Sequence, residues 1–486
     1  MESPSANLNA TLNATLAKTP LGAEQCYAAM QTRDSRFDGR FFVAVKSTKI
    51  YCRPVCKVKL PRLENCTFYP SAAGAEHAGY RPCLRCRPEL APGHFALDAS
   101  SRLAQQMAMI IQHASAEVKL DAVAAKLGVT ERHARRLFHE SFGVTPVQYA
   151  QTCRLLAAKR LLSDTDMPML EVAHAAGFRS LRRFNTLFVE RYRLQPSSLR
   201  KSQRLDEPPK AWLEFRLPYR RPFDWTDLLS FLSLRVIPGV ERVDIEASAF
   251  SRNLALDYEG RRLVGELRVT DLPRHDALSV SLSHSLAPVC LKVLHQLRRV
   301  FDLDLEPEQV RLVLGSLCRN PGVRLPGGFS GFEIAVRAVL GQQVSVKGAH
   351  TLAGRIAQKF GHDQCFPEPE AIAGASVEAV SSCGLIQRRA QTLIDLAQAI
   401  HSGHLVLDGS VPVEAGLLAL KSIKGIGEWT AQYVAMRALR WPDALPADDL
   451  VLKKRLQVKT GKAVEMAFEV YRPWRAYAVI HTWKLP

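Results

Sequence analysis

The residues whose types and spacing most directly specify a chemistry are two cysteine pairs, Cys52-Arg53-Pro54-Val55-Cys56 and Cys83-Leu84-Arg85-Cys86. Zinc takes four soft ligands in a tetrahedron, and each short pair can wrap one edge of it. A thiol held on such an ion is deprotonated, so a metal-binding cysteine is also nucleophilic at neutral pH. The competing reading is an accidental or redox-active pair. Arg53, Arg81, Arg85 and Arg87 flank the ligands, either to contact phosphates or as ordinary surface charge. A second reactive pattern lies near the other end. Gly425-Ile426-Gly427 opens a helical stretch carrying Trp429 and Tyr433, four apart on one face, and Asp448-Asp449 follows, with Asp449 twenty residues after Trp429. Glycines let a backbone approach a phosphate closely, and the next helix offers it free amides. A carboxylate stabilises positive charge growing on a sugar or activates water. Electron-rich rings, to which Trp483 is a further candidate, favour a cationic ligand. Against these stand core packing for the three aromatics and a helix-capping role for Asp449. No strand precedes the glycines and a third glycine is missing, which excludes a dinucleotide-binding loop.

Several domains are needed to position these groups, because 486 residues exceed one core. Residues 1–20 read as a disordered tail. Residues 21–95 are dense in Cys, Arg and Pro, as in a small domain held by a metal. Residues 98–203 are strongly helical. Residues 204–210, with Pro208-Pro209, read as a linker. Residues 211–289 alternate in short segments, such as 212–217 and 262–269, that predict a small sheet. Residues 290–486 return to helical patterning. Within the first helical region a pattern occurs twice. Residues 120–138 predict helix, turn at Gly128 and second helix, with Thr130 as its cap and Arg132, Arg135 and Arg136 on it. Residues 170–188 repeat this around Gly177 with Arg182 and Arg183. The alternative is a plain helical bundle.

Phe37-Asp38-Gly39-Arg40-Phe41-Phe42-Val43-Ala44-Val45, Ile50-Tyr51 before the first cysteine pair, and Gly79-Tyr80-Arg81-Pro82 before the second resemble the N-terminal domain of the Ada adaptive-response family. The resemblance implies one zinc ion per chain on Cys52, Cys56, Cys83 and Cys86. It also implies that Cys52 accepts, once, a methyl group from a DNA phosphotriester. Methylation would remove one negative charge from the thiolate cluster and so raise DNA affinity. The duplicated helical pattern resembles AraC-type DNA-binding domains, which implies promoter DNA as a partner and RNA polymerase if the protein is an activator. The last 270 or so residues resemble the helix-hairpin-helix glycosylases, specifically DNA-3-methyladenine glycosylase II of the AlkA type. The quoted motifs are Arg337-Ala338-Val339-Leu340-Gly341-Gln342-Gln343-Val344-Ser345, the hairpin, Asp448-Asp449, and residues 472–483. That resemblance assigns Asp449 as the catalytic carboxylate with Asp448 beside it, Trp429, Tyr433 and Trp483 to the pocket, and Gly425 and Gly427 to the DNA backbone. Trp429 occupies the place of the lysine of lyase-capable relatives, implying a monofunctional hydrolase. Gln343 falls where the family carries an apolar wedge, a departure. Hairpin carbonyls near Ile423 and Gly425 are candidates for a monovalent cation. No Pro-Cys-His-Arg motif is present, so an O6-methylguanine methyltransferase domain is not expected.

Bulk properties agree with a polyanionic partner: the formal net charge is +18 and the pI about 9.6. Residues 1–204 hold 30 Lys and Arg against 16 Asp and Glu, the rest 35 against 31, so the basic excess is concentrated in the front half. No apolar run is long enough to cross a bilayer and no signal peptide is evident, giving the expectation of a cytoplasmic protein associated with the bacterial nucleoid. Eleven cysteines, an odd count, suit a reducing compartment; Cys26, Cys66, Cys153, Cys290, Cys318, Cys365 and Cys383 are expected as small core residues. The sequence thus predicts a multidomain α+β chain: a small zinc-bound domain, an all-α double helix-turn-helix, and an α+β glycosylase with a small antiparallel sheet before its helical part. Its expected activities are excision of alkylated bases such as 3-methyladenine from double-stranded DNA and methyl transfer to Cys52. The alternative is a methylation-responsive transcription factor whose last domain recognises damage without cutting.

Overall fold

Strand register explains how cysteines so far apart in sequence come together. A computed structural model describes residues 21–93, 99–113, 119–200 and 212–485; the expected tail and linker lie outside them. Contacts divide the chain into two compact units. The first is Met1–Arg221 with Leu272–His295 and Leu303–Glu306; the second is Pro222–Asp271 with Gln296–Asp302 and Pro307–Pro486.

In the first unit, helix α1 (Ala23–Thr32) precedes strands β1 (Phe42–Val45), β2 (Ile50–Cys52), β3 (Cys66–Tyr69), helix α2 (Ala72–His77) and strand β4 (Arg81–Pro82), in the sheet order β3-β1-β2-β4. Alternation along β1 sends Val43 to one small cluster, with Cys26, Ala29, Met30 and Phe41. Phe42 and Ala44 go to another, with Tyr51, Ala75 and Tyr80. β2 and β4 run parallel, pairing Ile50 with Arg81 and Tyr51 with Pro82. Cys52 and Cys83 each follow the last paired residue, so the parallel pair delivers both to one end of the sheet.

The helical region follows with α3 (Ala99–His113), α4 (Leu120–Lys126), α5 (Glu131–Phe142), α6 (Pro146–Asp164), α7 (Met169–Ala175) and α8 (Leu181–Tyr192). The duplication expected from the sequence is present. α4 and α5 are joined through Gly128 at φ +68°, α7 and α8 through Gly177 at φ +83°. Thr130 caps α5 by accepting from the His133 amide, and Ser180 caps α8 by accepting from Arg183. Val123, Ala124, Phe138 fill the first repeat and Val172, Ala173, Phe184 the second, all buried. α2 docks on these helices through Glu76, whose carboxylate accepts from Tyr51 (2.9 Å), Tyr192 (3.0 Å) and Thr152 (3.1 Å). A second buried tie is the Lys159–Glu89 ion pair at 2.7 Å. β5 (Trp212–Pro218) pairs antiparallel with a later strand, Ala277–Ser283.

The second unit contains α9 (Trp225–Ser233) and an antiparallel meander of β6 (Glu241–Asp244), β7 (Ala249–Tyr258) and β8 (Arg261–Leu272). Its helices include α10 (Pro307–Leu314), α11 (Gly331–Leu340), α12 (Val346–Phe360), α13 (Pro369–Ala373), α14 (Val377–Ser381), α15 (Gln387–His401), α16 (Val413–Ser422), α17 (Glu428–Arg437), α18 (Leu450–Leu456), α19 (Gly461–Phe468) and α20 (Arg475–Trp483). A buried network fixes the meander to α11: Arg337 reaches Glu241 on β6 at 2.9 Å and Glu333 at 2.7 Å, and Arg252 on β7 joins both carboxylates.

Candidate functional site

The hairpin between α16 and α17 turns at Gly425, whose φ of +98° favours glycine. A Cβ there would fall 2.2 Å from Thr392 Oγ1 on α15, and that hydroxyl donates to the Lys424 carbonyl at 2.9 Å. Gly427 differs. It precedes α17 at φ −92°, and a Cβ would meet nothing within 4 Å. Among the described residues no neighbour demands glycine at 427, and the space beside it is open. Gln342, just past α11, ties the hairpin to the α11–α12 turn. Its Nε2 donates to the Gly425 carbonyl and to Thr430 Oγ1, both at 2.9 Å, while Arg389 donates to its own carbonyl at 2.8 Å. Gln343, next in the turn, is exposed and held at φ +54°.

Asp449 caps a helix and also meets the aromatic residues, two placements that sequence reasoning set against each other. As the N-cap of α18, its Oδ1 accepts from the amides of Val451 (2.9 Å) and Leu452 (3.0 Å). The same oxygen accepts from Trp483 Nε1 at 3.1 Å, and Oδ2 accepts from Trp429 Nε1 at 3.1 Å. Trp429 and Tyr433 stack at 5.5 Å between centroids and 24° between planes, and Tyr433 lies 6.5 Å from Trp483. The three rings and the acid expected to meet are therefore one cluster. Asp448 does not join it. With Asp449 turned inward as the cap, the preceding side chain faces out, 62% exposed, and pairs with Lys453 at 2.7 Å. Composition and spacing gave no reason to single out Gln342, Thr392 or Arg437. The last, at i+4 from Tyr433 and donating to its hydroxyl at 2.7 Å, was within reach of helical periodicity.

At the cysteine centre, one ligand atom from each of Cys52, Cys56, Cys83 and Cys86 lies within 4.8 Å of the others. Sulfurs about 2.3 Å from a tetrahedral zinc stand roughly 3.8 Å apart, so this cluster fits the ion. The Arg53 amide donates to Cys86 Sγ at 3.3 Å, the kind of outer hydrogen bond that orients metal thiolates. Arg53 departs from the expectation of a phosphate contact. Its guanidinium pairs with Asp38 and donates to the Cys86 carbonyl at 3.2 Å, leaving the side chain 11% exposed. Arg87 is likewise committed, to Glu89 and Asp164. Arg81 is partly exposed, and Arg85 is exposed. On the helix-turn-helix pair, Arg132, Arg182 and Arg183 are exposed; Arg135 pairs with Glu131 and Arg136 lies near Glu140 at the surface. Of the remaining cysteines, Cys26, Cys290, Cys365 and Cys383 are buried, while Cys66, Cys153 and Cys318 are partly exposed.

Four family models match in chain order: the metal binding domain of Ada over residues 25–89, a helix-turn-helix domain over 123–202, the AlkA N-terminal domain over 214–330, and the HhH-GPD superfamily of base excision DNA repair proteins over 336–462. Together they define a class: a metal-binding and helix-turn-helix front joined to a base-excision domain. The chain belongs to the AlkA-type family of bifunctional transcriptional activator/DNA repair enzymes. A probable bifunctional transcriptional activator/DNA repair enzyme AlkA of Mycobacterium tuberculosis is 34% identical over 485 residues, covering 95% of this chain and 96% of the relative. DNA-3-methyladenine glycosylase 2 of Escherichia coli is 37% identical over 282 residues, 55% of this chain and 96% of that protein. The bifunctional transcriptional activator/DNA repair enzyme AdaA of Bacillus subtilis is 30% identical over 186 residues, 38% of this chain and 85% of that protein. Among the described residues no helix is long and apolar enough to cross a membrane.

Proposed function

We propose that this chain repairs alkylated double-stranded DNA and regulates that repair, releasing 3-methyladenine and related bases by hydrolysis. Support comes chiefly from one observation: Trp429 and Trp483 both hydrogen-bond the Asp449 carboxylate while their rings, with Tyr433, form an aromatic cluster around it. An alkylated ring nitrogen makes the base cationic and a better leaving group; electron-rich rings favour it once it is flipped from the stack. Asp449 then faces the sugar, where it stabilises positive charge or takes a proton from water as the N-glycosidic bond breaks. Gly425 and Gly427 bring the hairpin backbone against a phosphate. Trp429 supplies no amine, so no imine to the sugar forms and the reaction is monofunctional. The Gly425 carbonyl already accepts from Gln342, and a monovalent cation at the hairpin would share it.

The cysteine centre supplies the regulatory half. Zinc, when bound by Cys52, Cys56, Cys83 and Cys86, keeps their thiols deprotonated. Cys52 attacks the methyl carbon of a methylated phosphotriester: the S–C bond forms, the C–O bond breaks, and the phosphodiester leaves with the electron pair. The thioether does not revert, so each chain reacts once. The helix-turn-helix pair then binds promoter DNA, with RNA polymerase as the partner, in the cytoplasm at the nucleoid. The test is direct. On methylated duplex DNA the protein should release free bases and leave abasic sites, and Cys52 alone should gain one methyl group. Release of no base abandons the enzymatic reading; a methyl group never found on Cys52 reduces the centre to a structural one.

A further inference from the structure

Helix α2, from the sheet domain that carries the cysteines, is tied to the last residue of the second helix in each helix-turn-helix repeat. At its head, Ser71 accepts from the Gly74 amide at 3.0 Å and donates to the carbonyl of Phe142, where α5 ends, at 2.6 Å. At its tail, the Glu76 carboxylate accepts at 3.0 Å from Tyr192, where α8 ends, and the Glu76 carbonyl accepts from Arg191 at 3.4 Å. Thr152 on α6 donates to the same carboxylate, and the His77 and Gln148 side chains lie 3.0 Å apart. Along the chain the repeats are joined through α6, whose 19 residues span about 28 Å. A single helix of that length is a joint that can bend. The ties through α2 close a second path between the same two helices. Glu76 is buried, and burying a carboxyl costs free energy that an apolar side chain would not. What the acid adds is direction: hydroxyls from β2, α6 and α8 reach it together in only one arrangement.

We propose that Ser71 and Glu76 are positioning residues for DNA reading: through them α2 splints α5 to α8 at one separation, so that the pair accepts two half-sites at a single spacing. This rests on the reading above that the helix-turn-helix pair binds promoter DNA. The second helix of such a unit presents its N-terminal residues to the base edges. The ties sit at the opposite, C-terminal ends of α5 and α8, so cutting them leaves Arg132, Arg182 and Arg183 in place on the helices. Each base pair added between half-sites moves the second one by about 3.4 Å along the duplex and about 34° around it. A splinted pair cannot follow both changes and loses contacts at one half-site. A pair joined by α6 alone can bend to follow them.

The experiment uses the full chain, first treated with methylated DNA, to select a duplex from a randomised library, and then varies the spacer between the two selected half-sites. In the parent, one added or removed base pair should weaken binding roughly tenfold, the size expected for losing contacts at one half-site. Glu76→Ala should flatten that dependence to within about threefold across the series, and Glu76→Gln, which keeps an acceptor for the tyrosines, should restore the parental profile. A second readout needs no DNA. Spin labels carried on non-canonical residues at the exposed Glu140 of α5 and Glu190 of α8 should give a narrow distance distribution in the parent and a broad one in Glu76→Ala. If Glu76→Ala does not fold, Tyr192→Phe combined with Arg191→Met cuts the same tie from the α8 side and leaves the sheet domain untouched. A folded variant with the tie cut that keeps the parental spacing profile and the narrow distribution shows that α6 alone sets the separation, and overturns the inference. A parent that selects no sequence overturns the promoter reading instead, and the distance distributions then judge the splint: broadening in the variant upholds it, and identical distributions overturn it.

Discussion

Asp449→Asn separates the charge of the proposed catalytic group from its place in the fold. Asn keeps an oxygen that can accept from the Val451 and Leu452 amides, so the cap of α18 survives. Its amide nitrogen then faces Trp429 Nε1, donor against donor, where Oδ2 had accepted at 3.1 Å. Losing that charge-assisted bond costs about 1–3 kcal/mol of stability. The effect on rate is separate. A carboxylate about 4 Å from the developing positive charge, in surroundings with an effective dielectric near 20, contributes about 4 kcal/mol. That corresponds to roughly a thousandfold in rate. Asp449→Ala should lose as much rate and, with the cap gone, about 0.5–2 kcal/mol more stability. The assay is single-turnover base release from methylated duplex, run beside urea unfolding of each variant. An Asn variant that is folded and releases bases within about threefold of the parent rate would refute the role of the carboxylate.

Three further outcomes are expected. Glu76 is pushed up to about 7 by burial, against the hydrogen bonds from Tyr51, Tyr192 and Thr152. Because its folded pKa exceeds the unfolded one, the stability this group contributes is present below about pH 4.5 and is lost as pH rises towards 7. Glu76→Gln, which can keep both tyrosine bonds on one oxygen, should therefore be more stable than the parent at pH 8, on the order of 1–3 kcal/mol, with the gap closing in acid urea titrations. Removing zinc with a strong chelator should release one ion per chain and unfold the small sheet domain, seen as newly reactive thiols, while base release continues, because the two apolar clusters there are small. Gln342→Ala breaks the bonds to Gly425 and Thr430, and should weaken binding to abasic-site duplex several-fold in a titration while slowing base release less.

The parts of this molecule that were legible in the sequence are those whose signal is local. Two Cys pairs, a repeated helix–Gly–helix pattern and a Gly-Ile-Gly turn are each written within a few residues, and each appears where it was read. What stayed hidden depends on pairing at a distance. The parallel match of Ile50 with Arg81 that assembles the cysteines cannot be seen from either strand alone. Arg53 and Asp448 show the converse limit. A charged residue beside a functional one suggests a shared task, but side-chain direction decides. Arg53 is spent on Asp38, and Asp448 faces solvent because its neighbour took the capping position. Tyr433 was legible as a neighbour of Trp429 from its four-residue spacing, whereas the arginine that donates to it needed the carbonyls of Pro326 and Gly327, more than a hundred residues away, to fix its direction.

The two indoles carry more of the argument than their count suggests, because each acts through two different parts of the ring. The N–H edges of Trp429 and Trp483 hold opposite oxygens of Asp449, and the same rings make up two sides of the cluster in which Tyr433 stacks. Acid and aromatic cluster thus have one geometry rather than two that must be brought into register. Oδ1 is heavily used, with two amides and an indole, while Oδ2 accepts from Trp429. Oδ2 has the smaller commitment, and on the proposed reading it is the oxygen that would turn its remaining lone pair towards a sugar. A helix cap elsewhere would be satisfied by its amides, and two indole donors would have no reason to converge on it. Their convergence, inside an aromatic cluster and beside a hairpin open at Gly427, is what capping alone does not explain.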